Sequence, residues 1–249
     1  MKLKNDLLLI ALSMVLPALL AAQDSAEDLL QQATRAAQRG KCEQAVAILS
    51  DLLAKEPKLA DAWYLRGREH FRIGKVKESV ADFDQLVQLK PDLASRQWER
   101  GISCYYAGEY EKGARQFELY QTYHDQDVEN STWRYLCVSR TAGVEKARQT
   151  LLPIDNDRRV PMMEIFALYQ GKLAPEEVLK AAEAGEPNKE QLNIRLFYAH
   201  LYIGLWHEAA GKDEPAKTHI LEAEKHKIGH YMWDVAHVHA ERLREEDKK

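Results

Sequence analysis

Cysteine is scarce in this chain: Cys42, Cys104 and Cys137 are the only three among 249 residues, and no two stand in a CxxC spacing. A disulfide-framed mini-domain and a zinc ribbon are thereby excluded, and only a Cys104–Cys137 pairing is left open. Basic charge is not in excess either. Lysine and arginine number 35 against 39 aspartates and glutamates, a net charge of −4, so no surface is enriched for a phosphate backbone and nucleic acid is not expected as a partner. Reactive motifs fail one by one. His207-Glu208-Ala209-Ala210 begins like HExxH but ends on Gly211, and Gly101-Ile102-Ser103-Cys104-Tyr105 lacks the last glycine of GxSxG. Asp155-Asn156-Asp157 opens like a calcium loop without its glycine and distal glutamate. No glycine-rich phosphate loop is present. No catalytic residue, metal ligand or cofactor is therefore expected. Period-two alternation is missing throughout, which excludes strands and leaves an all-α fold.

What the sequence does contain is a lattice. Gly40, Gly74 and Gly108 are 34 residues apart, as are Gly67 and Gly101, Phe83 and Phe117, and Pro57 and Pro91. Thirty-four is the period of tetratricopeptide repeats, each a helix–turn–helix. In the unit from residue 60 to 93, helix A carries Trp63, Arg66 and Gly67 and turns at Gly74; helix B carries Ser79, Phe83 and Leu86 and stops at Pro91. A glycine just before the turn lets the paired helix approach, and a glycine at the turn takes up positive φ. Residues 94–127 repeat this, residues 26–59 repeat it more weakly, and residues 191–228 bring it back through Gly204, Gly211, Ala216 and Ile220. Between them the pattern degenerates. Pro153 cuts a helix B short, a helix is expected over residues 161–169, Gly171 ends it, and Pro175 opens another to residue 184. A last helix over residues 231–245 is expected to cap the final repeat's apolar face. The expected architecture is a right-handed superhelical solenoid of such hairpins.

The only long hydrophobic run, Leu7 to Leu20, follows Met1-Lys2-Leu3-Lys4 and precedes Leu20-Ala21-Ala22. This order reads as a secretory signal peptide cut after Ala22. No cysteine stands at the cut to carry a lipid. An uncleaved anchor is the alternative, so membrane association is left open. The chain divides into residues 1–22 as signal, 23–127 as three repeats, 128–190 as degenerate hairpins and 191–249 as a last repeat with its capping helix and charged tail. An exported protein of the periplasm or cell envelope is expected.

Binding is expected on the inner face of the A helices. Positions five, nine, twelve and thirteen of two successive units are Tyr64, Arg68, Phe71 and Arg72, then Trp98, Ile102, Tyr105 and Tyr106. Offsets of four and seven or eight place them on one helical side, and aromatics with arginine are the composition of an interface hot spot. Such a groove suits an extended peptide or a partner helix. Seven of the nine histidines lie between His200 and His239, which keeps a metal-dependent hydrolase as the second reading.

Arg100-Gly101-Ile102, Tyr105-Tyr106, Gly108, Asp125, Asp127, Trp133, Tyr135 and Leu136, with Phe197-Tyr198, Tyr202, Gly204 and Gly211 downstream, resemble the NlpI-type tetratricopeptide proteins of the bacterial envelope. The resemblance implies a non-enzymatic adaptor, often dimeric, that brings a protease or a peptidoglycan hydrolase to its target. The chain departs from that family in lacking the lipid-anchored cysteine.

Overall fold

The computed structural model describes residues 25–248. The expected signal segment, residues 1–22, and its cut lie outside them. Among the described residues there are helices and no strands, and no helix is long and apolar enough to cross a membrane.

Helices pair in sequence as hairpins: α1 (Ala26–Gln38) with α2 (Cys42–Lys55), α3 (Ala60–Arg72) with α4 (Val76–Leu89), α5 (Trp98–Tyr106) with α6 (Tyr110–Gln121), and α7 (Val128–Ala142) with the short α8 (Val144–Gln149). Then come α9 (Met162–Tyr169) with α10 (Pro175–Glu183), the long α11 (Lys189–Ala209) with α12 (Asp213–Lys225), and α13 (Tyr231–Glu246). The turns are built alike. Gly40, Gly74, Gly108, Gly171 and Gly211 all have φ between +68° and +80°. In each, the glycine N–H bonds the carbonyl three residues back and the following N–H bonds the one five back, as in Gly74 to Phe71 (2.9 Å) and Lys75 to His70 (2.9 Å). This is the Schellman arrangement, which satisfies the last carbonyls of each A helix. That Gly171 joins the series places α9–α10 among the hairpins.

The close helix approach is also real. A Cβ on Gly101 would stand 2.6 Å from Phe117, and one on Gly204 would stand 2.9 Å from Ile220. A second stitch runs through the arginines. Arg66, Arg100 and Arg134 lie 34 apart, and each reaches both 16 residues forward and 16 back. Arg66 pairs with Asp82 (2.7 Å) and Ser50 (3.2 Å), Arg100 with Gln116 (2.7 Å) and Asp84 (2.8 Å), and Arg134 with Glu118 (2.8 Å) and the Thr150 carbonyl. One side chain thus ties helix A to its own helix B and to the preceding one. Its presence at Arg134 extends the repeat register into α7–α8.

Two expectations need adjustment. The third A helix starts at Trp98 rather than at residue 94, because Pro91 opens a separate 3₁₀ helix over Pro91–Arg96; proline's fixed φ and missing N–H suit a first helical position but not a continuing one. The last helix does more than cap the final repeat. It packs on α12 and also against α3, so the C-terminal helix reaches back to the second hairpin. The largest core accordingly runs without interruption from Phe71 to Ala240, while Leu49, Leu52, Leu53 and Ala62 form a separate cluster at the first hairpin. Cys104 and Cys137 are buried free thiols with Gly113 between them; burial raises the Cys104 thiol to about 11.

Candidate functional site

Of the eight expected inner-face residues of α3 and α5, Arg68, Phe71, Arg72, Trp98 and Tyr106 meet α13, while Tyr64 bonds Glu99 and Tyr105 packs on Tyr110 and Trp133. Phe71, Ile102, Tyr105 and Tyr106 are buried, and Tyr64, Arg68, Arg72 and Trp98 are half-buried. Phe71 packs on Tyr231 (5.7 Å between centroids), and Trp98 stacks on His230 (6.0 Å) and meets Tyr231 edge-on (5.6 Å). The Arg68 guanidinium sits 4.6 Å over the Tyr231 ring. Arg72 donates to Asp234 from both Nε (2.9 Å) and Nη2 (2.8 Å), and to Glu69 from Nη1 (2.8 Å). Further along, the Tyr106 hydroxyl and His239 Nδ1 share a hydrogen bond of 2.9 Å, and Arg242 lies 5.3 Å over the Tyr106 ring. This is helix-in-groove recognition, with the helix supplied by the chain itself. A periodic face announces only that it is covered, not by what.

The N-terminus of α13 divides the concave side in two. Toward the first hairpins it leaves a cleft of about 830 Å³ lined by Cys42, Glu43, Arg68, Arg72, Tyr231 and Asp234. Toward the fourth hairpin it leaves a cavity of about 350 Å³ lined by Trp98, Phe117, Tyr120, Asp127, Glu129, Trp133 and Arg159, among others. Asp127 caps α7, accepting from the Glu129 N–H (3.1 Å). Arg159 comes from the loop before α9 and is bound by Asp127, Glu129 and Asp157 at 2.5–2.7 Å. None of Asp127, Glu129, Trp133 and Arg159 was among the expected site residues. Asp127 closes the third unit and Trp133 continues the lattice beyond it, but their pairing with Arg159 depends on how the loop after Pro153 folds back.

The C-terminal histidines resolve into local pairs. His239 meets Tyr106, and His237 Nδ1 bonds Glu224 at 2.7 Å. His226, His200, His219 and His207 form a row of rings 5.0–5.9 Å apart on α11, α12 and the C-cap of α12. Among the described residues, one group brings three metal-capable atoms within 4.8 Å, Glu224, His237 and Glu241, and Arg244 binds both of its carboxylates. The cation there is already supplied by arginine.

The row of rings makes a pH prediction. His200 and His219 face each other Nδ1 to Nδ1 at 2.9 Å, which requires a lone pair on one of them. Burial, then the neighbouring His219, lowers His200 from 6.5 to about 4, against the pull of Glu222. A histidine with a lowered folded value contributes stability above its unfolded value and loses it as pH falls. The loss should therefore fall between pH 6.5 and about 4. Allowing for partial exposure of the ring it should amount to about 1–2 kcal/mol. Urea midpoints at both ends of that window should converge toward a shallower slope in His200→Gln; an unchanged slope would remove the ring pair as its source.

No protein-family model matches the chain, and no characterised protein matches it by sequence. Among solved structures, a tetratricopeptide repeat protein from Parabacteroides merdae superposes with a TM-score of 0.53 and 14% identity, over 85% of this chain and 82% of that one. The fold is that of a tetratricopeptide-repeat solenoid. MamA from Desulfovibrio magneticus RS-1 follows at a TM-score of 0.49 and 15% identity, over 82% of this chain and 96% of that one. YrrB, a TPR protein with an unusual peptide-binding site, has a TM-score of 0.46 and 15% identity over 88% and 93% of the two chains. For this solenoid the likeness is one of architecture alone.

Proposed function

We propose that this protein is an exported, non-enzymatic tetratricopeptide adaptor that holds a partner protein in the cleft beside its seated C-terminal helix. The observation that carries the reading is the lip of that cleft. Arg68 and Arg72 remain half-buried there next to Tyr231, and Arg68 Nε is buried without a partner. Arginine and aromatic groups in a preformed concavity bind polypeptide at low ordering cost. The resemblance to envelope adaptors suggests a protease or a peptidoglycan hydrolase as the partner, and dimerisation through the first hairpin as an accompaniment. The signal-like N-terminus supports export. A hydrolase reading has less support, since each histidine from His200 to His239 already has a ring, carboxylate or amide neighbour.

A photo-reactive residue at Glu43 on the cleft rim should give discrete adducts in intact cells, and one at exposed Lys146 on α8 should not. Arg68→Ala with Arg72→Ala should weaken the Glu43 adduct about tenfold or more. Equal adducts at both positions, or adducts indifferent to the double substitution, would remove the cleft as the binding surface. The intact mass of the same material reports whether 22 residues have been removed.

A further inference from the structure

The second cavity has a chemistry of its own. Its walls include Trp98, Tyr120 and Trp133, and ring faces attract a cation. Its floor carries Asp127 and Glu129 at the start of α7. Arg159 is already held by three carboxylates. It donates from Nε and Nη2 to Asp157, from Nη1 to Glu129 and from Nη2 to Asp127. Burial pushes the Glu129 carboxyl up to about 7, and even with it protonated two carboxylates face one guanidinium, so the site stays negative and favours a cation over an anion. Arg159 itself shows that a guanidinium fits these acids.

Two further atoms have no partner. Trp133 is 1% exposed and Asn130 is 3% exposed. The Trp133 Nε1–H and the Asn130 Oδ1 are both buried and unbonded. The Asn130 amide nitrogen is used, donating to Gln121 Oε1 at 2.8 Å, which fixes Oδ1 as the open acceptor. Buried polar atoms left this way are costly and are found where a ligand completes them. One donor and one acceptor are what a peptide unit matches, through its carbonyl and its N–H. A volume of about 350 Å³ is of the size that holds one small guest.

We infer that this cavity receives a basic residue of a partner polypeptide, its cationic side chain against Asp127 between the aromatic walls and its amide against Trp133 and Asn130. The inference rests on the partner-binding reading above but on a different part of the concave side. A free amine shares the cationic chemistry and lacks the amide.

The test follows the Trp133 indole N–H signal by NMR while N-acetyl-arginine-N-methylamide, its neutral citrulline counterpart or agmatine is added to the full chain. The capped arginine should shift that signal saturably, agmatine should bind several-fold more weakly, and the citrulline compound should not bind. Asp127→Asn keeps an N-cap acceptor and removes the charge, and should weaken the capped arginine about ten- to a hundredfold. Should that variant fail to fold, Trp98→Leu on the half-buried wall should weaken it several-fold. Binding of the citrulline compound as tight as the arginine, agmatine as tight as the capped residue, or a folded Asp127→Asn with unchanged affinity would each overturn the inference. Adducts at Glu43 would survive any of those results, so the two readings fail separately.

Discussion

Gly101→Ala is expected to destabilise the protein by about 2 kcal/mol, while Gly67→Ala at the equivalent place one repeat earlier should change it by less than about 0.5 kcal/mol. Both glycines sit inside an A helix, where alanine alone would gain up to about 1 kcal/mol. What differs is the space. At Gly101 the new methyl would lie 2.6, 2.8 and 2.9 Å from three atoms of the Phe117 ring. Phe117 is 1% exposed, so the ring cannot swing away and α5 must separate from α6. Overpacking of this kind costs up to about 3 kcal/mol, which outweighs the propensity gain. At Gly67 the nearest atoms are Asp82 Cβ and the edge of Phe83 at 3.3 Å, a gap that yields within a few tenths of an ångström. Urea denaturation of the two variants measures the contrast. Equal losses would mean that the repeats are packed alike and that ring clearance does not set the tolerance.

That contrast also marks how far the sequence could be read. A steric requirement leaves a residue type behind, so Gly67, Gly101 and Gly204 declared the helix-to-helix contacts, and Gly74, Gly108, Gly171 and Gly211 declared the turns. The arginine stitch was only half legible. Arg66 and Arg100 stood out on the lattice, but Arg134 lay in the stretch that Pro153 made look irregular, and its partner at Thr150 is a backbone carbonyl with no residue type to reveal it. Part of the concave face was legible as a face: Arg68, Phe71, Arg72, Trp98 and Tyr106 all meet α13. Its occupant was not. Arg72 meets Asp234 across 162 positions, and bringing the last helix back to the second hairpin depends on the accumulated rotation of every hairpin between, which no local pattern encodes. The Asp127–Glu129–Arg159 cluster was hidden for the same reason, because a loop rather than a helix delivers the arginine.

The seat of α13 should be decided by two tyrosines whose hydroxyls have opposite fates. Tyr231→Ala is expected to cost about 3–5 kcal/mol, because Tyr231 is 4% exposed and its ring touches Phe71, Trp98 and the Arg68 guanidinium. Tyr231→Phe keeps that ring and removes a buried hydroxyl without a partner; it should be neutral or stabilising by up to about 1 kcal/mol. Tyr106→Phe should go the other way. Its hydroxyl bonds His239 Nδ1 at 2.9 Å, and His239 is 5% exposed, with burial holding its imidazole below the usual range. Removing the hydroxyl leaves that nitrogen unpaired inside the core, at a cost of about 1–3 kcal/mol. The sign difference between two identical chemical changes is the measurement. If both phenylalanine variants lose stability equally, the last helix is not held on the concave face by these contacts. If they split as expected, Tyr231→Ala becomes the variant that loosens α13, and Phe71 and Trp98 should then become accessible to an apolar dye while the glycine-built hairpins behind them stay folded.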